Sequence, residues 1–376
     1  MPSPQECQQL KEDLAYLSSL GEGFDRLLKT ALQSGKEEDI QRLEEFKIEM
    51  TNKKEGLREK LWPFPELPRT ELEAQYHAQV EILDRTGLLT RLNDGKLGIE
   101  LNNVEYPLPS FQEITRRLLA RHSFSEGGRE KREILKNKIS QGFNQLQITP
   151  LVSIETLKQT LSHLLIEHHN NHKLFKTKRN PTDKDEPLDL DVSNPVYVYD
   201  QFQDNPRLMY YIKAFDSDNH QGLTKDQLIL ETRGFNIILT EKSQFLPQEN
   251  EDQIVNQGKP NQRKRIENNK TPTEYLNLQN QDSQYSHESY LTIEDWLTQF
   301  ITHLEQTNQV SNDWNDNNAS WLPGNYLPPT LQEKQNGSWG ELPRGNWLRV
   351  ARRARVDWVA PGSRFPEWGV RPSVRI

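Results

Sequence analysis

Apolar residues recur at helical spacing over the first sixty positions. Leu10, Leu14, Leu17, Leu20, Phe24, Leu27, Leu28, Ala31 and Leu32 mark one helix over residues 3 to 33, with Gly21 and Gly23 weakening its middle. Ser34-Gly35 breaks the pattern. Ile40, Leu43, Phe46, Met50, Leu57 and Leu61 carry a second helix up to Trp62-Pro63. Two such helices joined by a short turn form an antiparallel hairpin, with a face open to self-association. A third helix follows over 70–92. Alternation then takes over at Leu97, Ile99 and Leu101, and continues at Val104 and Tyr106 past an Asn102-Asn103 turn, which predicts a β-hairpin. From Ser110 to His172 the spacing again reads as helical, in three pieces broken near Gly127-Gly128 and Thr149-Pro150. Ile134, Ile139 and Phe143 mark the second piece, and Leu157, Leu161, Leu164 and Leu165 the third.

The charged, proline-bearing run KLFKTKRNPTDKDEPL reads as a boundary, with its linker proper at 176–188. The expected organisation is therefore a helical hairpin at 1–62, a mainly helical domain with a β-hairpin at 63–175, and an α+β domain at 189–376. In the last domain VYVYDQF, MYYIKAF and FNIILTE read as strands. Thr224 and Thr292 read as helix N-caps, the second with Asp295 at N3. Residues 243–270, rich in Gln, Asn, Glu and Lys around QRKR, read as a long exposed loop.

Gly337 to Ile376 differs from everything before it. Trp339, Trp347, Trp358 and Trp368 lie here, half of the chain's 8 tryptophans. Arg344, Arg349, Arg352, Arg353, Arg355, Arg364, Arg371 and Arg375 join them, without a lysine. Trp and Arg dominate binding hot spots because each combines large contact area with directional polar groups. Interspersed Pro and Gly make short strands and turns the expected form. The segment reads as a displayed recognition surface on a platform built by the rest of the chain.

Composition narrows the function. With 376 residues and a hydrophobic content of 33%, the chain exceeds one ordinary core, and part of it is extended helix and polar loop. A net charge of −8 disfavours general nucleic-acid binding. Cys7 is the sole cysteine, which removes a disulfide framework and a Cys-based zinc site. The start MPSPQECQQL shows no signal-peptide pattern, and no apolar run is long enough for a membrane span. Synthesis in the cytoplasm is expected, with virion or cell surface open as the final location. His168 and His172 stand at i, i+4, near Glu167 and His163. The helix fails at Asn170-Asn171 and no third ligand stands nearby, so a polar helix end is the simpler reading and no metal is expected. Asp216 and Asp218 begin like a calcium loop, but Gly222 and Gln227 fall at the wrong places, leaving a turn.

TPTEYLNLQNQDSQY, LTIEDWLTQFITHLEQTNQV, NNASWLPGNYLPP and the closing GVRPSVRI resemble the variable proteins of diversity-generating retroelements, particularly those of small-genome archaea, candidate-phylum bacteria and their viruses. The resemblance covers about 190–376 and is strongest over 271–326 and 369–376. It implies a C-type lectin fold whose C-terminal surface, about 337–376, is rewritten by adenine-directed mutagenesis to bind a protein or surface ligand. It also implies no catalysis and no cofactor. On alternation, Trp347, Arg349, Ala354, Val356 and Pro361 are expected as framework, and Gly369, Val370, Arg371, Val374 and Ile376 as the closing core strand. The expected displayed set is Leu348, Val350, Ala351, Arg353, Arg355, Asp357, Trp358, Val359, Ala360, Gly362, Ser363, Phe365, Pro366, Glu367 and Trp368. Trp321, Trp339 and Trp347 are expected in the core.

Three rivals remain. Oxidation of a substrate cysteine, as in the formylglycine-generating enzymes of the same fold type, needs active-site thiols that the chain lacks. Hydrolase and nucleotide motifs (G-x-S-x-G, H-E-x-x-H, the P-loop) are missing. Interleaved Arg and Trp would suit a nucleic-acid-binding tail, weakened by Glu341, Asp357 and Glu367. A structural virion or scaffold protein would instead use its helical N-terminus.

Overall fold

The structure is a computed structural model describing residues 4–34, 37–120, 126–180, 182–259 and 261–376. The chain forms two compact units, Met1–Glu73 and Ala74–Ile376. In the first, α1 (Pro4–Ser34) and α2 (Glu37–Leu61) pair as a hairpin. Phe24 and Phe46 meet with ring centroids 5.3 Å apart, and Lys47 pairs with Asp25 at 3.0 Å. Tyr16, Leu27, Leu32 and Ile48 remain exposed on it. The division falls inside α3 (Arg69–Arg85).

The second unit is α+β, with small antiparallel and mixed sheets. β1 (Thr90–Arg91), β2 (Leu97–Leu101) and β3 (Val104–Pro107) form one antiparallel sheet. Its β2–β3 turn places Asn102 and Asn103 at φ 52° and 61°, the left-handed pair that a tight hairpin requires. Next come α4 (Phe111–Ala120), α5 (Glu126–Ser140), β4 (Phe143–Pro150) and α6 (Ile154–Asn170). β4 corrects the expected helix: Ile139 and Phe143 share helical spacing, but Gly142 at φ 95° ends α5 between them. The freed segment forms the sheet edge instead, paired with a later strand, Phe235–Glu241.

Then follow β5 (Val196–Val198), β6 (Met209–Tyr210), α7 (Lys225–Thr232), β7 (Phe235–Glu241), β8 (Ile254–Val255), β9 (Arg263–Lys264), α8 (Pro272–Gln281), β10 (Ser289–Tyr290) and α9 (Ile293–Thr307). MYYIKAF thus keeps only two strand residues. Thr224 and Thr292 close capping boxes with Gln227 and Asp295. The chain ends with β11 (Ala319–Trp321), β12 (Asn325–Tyr326), α10 (Leu331–Gln335), β13 (Leu342–Leu348), β14 (Arg353–Val359), β15 (Trp368–Val370) and β16 (Pro372–Arg375).

Two sheets organise this unit. One runs β10-β16-β7-β4, the other β15-β11-β13-β14-β5. The first joins chain-distant segments, with β7 between β4 and the terminal strand β16. α6 packs on α9. The expected boundary at 176–188 therefore lies inside the unit, tied by bridges from Phe175 to Pro187 and Gln309. Sheet pairing and helix packing outweigh the local charge and proline content there.

The expected exposed loop at 243–270 is exposed over most of 249–259, but not around QRKR. Arg263 is fully buried, clamped by Nε and Nη2 bonds of 2.8 Å to both Glu288 oxygens and by a 2.7 Å Nη1 bond to Glu241. Its guanidinium lies 4.9 Å from the centroid of Phe143 and 5.3 Å from that of Tyr285. Lys138 reaches Glu288 at 2.6 Å, and Arg265 reaches Glu241 at 2.6 Å. Such a charge survives burial only when paired and hydrogen-bonded. No described helix is long and apolar enough to cross a membrane.

Candidate ligand-binding surface

β13 and β14 pair antiparallel through seven registered positions, from Leu342↔Val359 to Leu348↔Arg353. Successive side chains point to opposite faces. On one face Gly345, Trp347, Ala354 and Val356 are buried. Gly345 is required there: a Cβ would lie 2.5 Å from the Trp296 ring of α9. Trp296 in turn donates from Nε1 to Asn312 Oδ1 at 3.0 Å. Asn312 Nδ2 reaches the Asn318 carbonyl and the Ser320 hydroxyl, both at 3.0 Å, and its own carbonyl accepts from the Trp347 amide at 3.0 Å. Asn312 thus ties helix and loop through its side-chain amide and the hairpin through its main-chain carbonyl.

The other face carries Arg344, Asn346, Arg353, Arg355 and Asp357, continued by Tyr197 of β5 through the Arg355↔Tyr197 register. The Arg353 guanidinium lies 5.1 Å from the Tyr197 ring centroid, and that of Arg355 lies 6.0 Å away. Arg344 and Arg355 both pair with Asp357. Burial holds the Arg344 guanidinium below its usual value, against the opposing pull of Asp357. Further along, Trp321 stacks on Trp368 at 4.8 Å, Phe365 lies 6.0 Å from Trp321, and Arg344 sits 4.9 Å from the Trp368 centroid. The result is a strip of alternating arginines and aromatic rings.

The ends of the hairpin are anchored. A 3-10 turn, Arg349–Ala351, leads into Arg352 at φ 53°. Arg349 bonds Asp313 at 2.7 Å and Asp316 at 3.2 Å, and Val350 projects 84% exposed. Beyond β14, the Pro361 carbonyl accepts from the amide and hydroxyl of Thr273 at the start of α8, and Arg364 pairs with Glu274.

Of the expected displayed set, Val350, Trp358, Gly362, Phe365 and Pro366 are exposed, and Ala351, Arg353, Arg355, Ala360, Ser363 and Glu367 are half-buried. Leu348, Asp357, Val359 and Trp368 are corrections: all four are buried. Val359 and Trp368 join Tyr275, Trp321, Leu342 and Val370 in an apolar cluster that covers this end of the face. Asp357 lies under its two arginines, and Leu348 has the stem of Arg353 as its cross-strand neighbour. Trp347, Ala354, Val356 and Pro361 are buried as expected for framework, with Arg349 half-buried. Of the expected closing strand, Gly369, Val370, Arg371 and Val374 are buried and Ile376 is half-buried.

Trp321 and Trp347 are core, but Trp339 is 76% exposed, against expectation. It sits between Gly337 and Gly340, both at positive φ, so the turn lifts it off the sheet. Tyr197 and Arg344 also belong to the strip. The alternation in VYVYD marked Tyr197 as facing away from the valines, but nothing local set that strand beside β14.

His168 Nε2 meets Glu305 at 2.8 Å, and the described residues contain no cluster of three metal-ligating side chains. Asp216 accepts from the amides of Asp218 and Asn219, both at 2.8 Å, which makes a turn, and Asp218 pairs with Lys334. Compared with known proteins, the chain matches no family model, no curated protein and no solved structure.

Proposed function

We propose that the chain is a ligand-binding protein whose C-terminal surface is diversified by retroelement-directed adenine mutagenesis on a C-type lectin-like scaffold. The observation that carries this reading is the division of labour within one hairpin. Gly345, Trp347, Ala354 and Val356 hold its inner face, while Arg353, Arg355 and the projecting Val350 and Phe365 occupy positions whose side chains can change without altering the seven-pair ladder. Rigid aromatic anchors beside adaptable polar groups are the composition of a binding surface made to be varied. The partner is a protein or surface ligand, and catalysis is not part of the proposal.

A nucleic-acid-binding tail is the weaker reading, because its arginines are occupied. Arg344, Arg349, Arg355, Arg364 and Arg375 are in ion pairs, and buried Arg371 donates to the carbonyls of Ser243 and Gln244. Few are left to neutralise phosphates.

Sequencing the 3′ end of the gene across a natural population tests the proposal. Substitutions are expected to concentrate in codons 346–368 at outward positions such as Val350, Arg353, Arg355 and Phe365, sparing Trp347, Ala354 and Val356. Flat variation across that stretch would remove the diversification reading. The exposed Tyr16, Leu27, Leu32 and Ile48 of the α1–α2 hairpin favour self-association through this region as a way of presenting several surfaces at once. Sedimentation equilibrium of the full chain is expected to report an oligomer that Leu27→Glu with Ile48→Glu converts to monomer; a monomeric wild-type chain would refute it.

A further inference from the structure

Among the described side chains of α1 and α2 none is buried, although both helices carry apolar stripes. Two helices alone cannot enclose a core, so such stripes need a further layer. One side of the hairpin opens a groove of about 370 Å³, lined by Leu17, Leu20, Phe24, Phe46 and Met50. Leu20 is 37% and Phe46 45% exposed. Asp25, Lys47 and Lys54 add the charged part of the lining. The groove falls at the middle of both helices, around residue 20 of α1 and residue 50 of α2.

Charge along α2 identifies the occupant. Its first half, residues 37–49, holds six carboxylates (Glu37, Glu38, Asp39, Glu44, Glu45 and Glu49) against two cations. Its second half, 50–61, holds four cations, Lys53, Lys54, Arg58 and Lys60, against two carboxylates. A surface acidic at one end, basic at the other and apolar between them is complementary to itself after a half-turn about an axis through its middle. Pairing with the hairpin turns at the same end would instead gather the acidic halves of both copies.

We propose that two copies of the chain pack groove on groove as a four-helix bundle, with α2 of one protomer antiparallel to α2 of its partner. The proposal rests on the self-association expected of this hairpin and adds its contact surface and its orientation. Helices of 31 and 25 residues run about 46 and 37 Å. Side by side at about 9 Å spacing they offer roughly 700 Å² per copy, close to the ~800 Å² per partner of a standard interface. In this arrangement the two chains leave the bundle at opposite ends, about 35 Å apart, and the bundle acts as a spacer between their C-terminal portions.

Sedimentation equilibrium of the full chain is expected to give a dimer. Leu20→Glu changes an exposed groove residue and is expected to raise the dissociation constant at least about tenfold. Orientation is read by pulsed electron–electron distance measurements on spin labels attached in a Cys7→Ser background, at the exposed positions Gln41 and Lys60. Labels on Lys60→Cys are expected about 30–35 Å apart, and mixing Gln41→Cys chains with Lys60→Cys chains is expected to add a separation under about 20 Å. A monomeric wild-type chain would overturn this pairing together with the self-association it rests on. A dimer unaffected by Leu20→Glu, or one whose Lys60→Cys labels lie within about 20 Å of each other, would overturn the pairing alone.

Discussion

Glu288→Ala is expected to destabilise the Ala74–Ile376 unit by about 3–5 kcal/mol, the cost of leaving buried cations without their partner. Glu288 is the shared anion for Arg263 and Lys138, and all three side chains are nearly or fully shielded from water. Removing it leaves Arg263 with Glu241 alone, and that carboxylate is already shared with Arg265. Urea unfolding monitored by tryptophan fluorescence measures the loss. A change below ~1 kcal/mol, no more than a surface pair contributes, would mean that water reaches the cluster. Replacing the charges together, with Lys138→Met, Arg263→Met and Glu288→Leu, is expected to cost less than Glu288→Ala, because no unpaired charge then stays buried.

The same cluster sets an acid limit. Burial alone would raise the Glu241 carboxyl, but Arg263 and Arg265 outweigh it and hold the group below its usual range. A carboxylate with a depressed folded value contributes its full stability above its unfolded value, about 4.5 here, and loses it as pH falls through the folded value. The Glu241 contribution to wild-type stability is therefore constant above about pH 4.5 and declines below it.

Trp296→Ala is expected to cost about 3–5 kcal/mol, as deletion of a fully buried large aromatic does. The indole backs Gly345, meets Phe300 edge-on at 5.5 Å and donates to Asn312. Its loss opens a cavity beneath the hairpin and takes one donor from the side-chain amide of Asn312, the residue whose main-chain carbonyl accepts the Trp347 backbone N–H. Val350→Ser and Phe365→Ser, on the outer side of the same segment, are expected to stay within about 0.5 kcal/mol of wild type. Chemical denaturation of the three variants in parallel reads the contrast. An outer variant as costly as Trp296→Ala would make the strip part of the core and end its claim to be a replaceable surface.

Much of the candidate surface's layout was legible in order along the chain. The density of Trp and Arg after Gly337 located the segment, and strand alternation separated Trp347, Ala354 and Val356 from Arg353 and Arg355. Alternation failed where a second layer covers the outer face. Val359 and Trp368 sit on the open side of the sheet, but α8 delivers Tyr275 over that end, and the rings close on one another. Asp357 looked like a displayed acid because its sequence neighbours do not reveal the Arg344 that pairs with it from β13.

The sequence by itself determined what depends on near neighbours. The α1–α2 pair follows from apolar spacing, the Asn102-Asn103 turn from tolerance of left-handed backbone, and the Thr224 and Thr292 caps from side chains that reach an amide three residues on. Only the tertiary structure decided what depends on partners distant in the chain. Phe143–Pro150 became a strand because β7 offered it a ladder, and 176–188 was drawn into the unit by bridges from Phe175. Arg263 was buried because Glu288 and Glu241 arrive from other elements to neutralise it. Local spacing encodes conformational preference, whereas burial and pairing are set by the free energy of contacts between segments that the sequence order keeps apart.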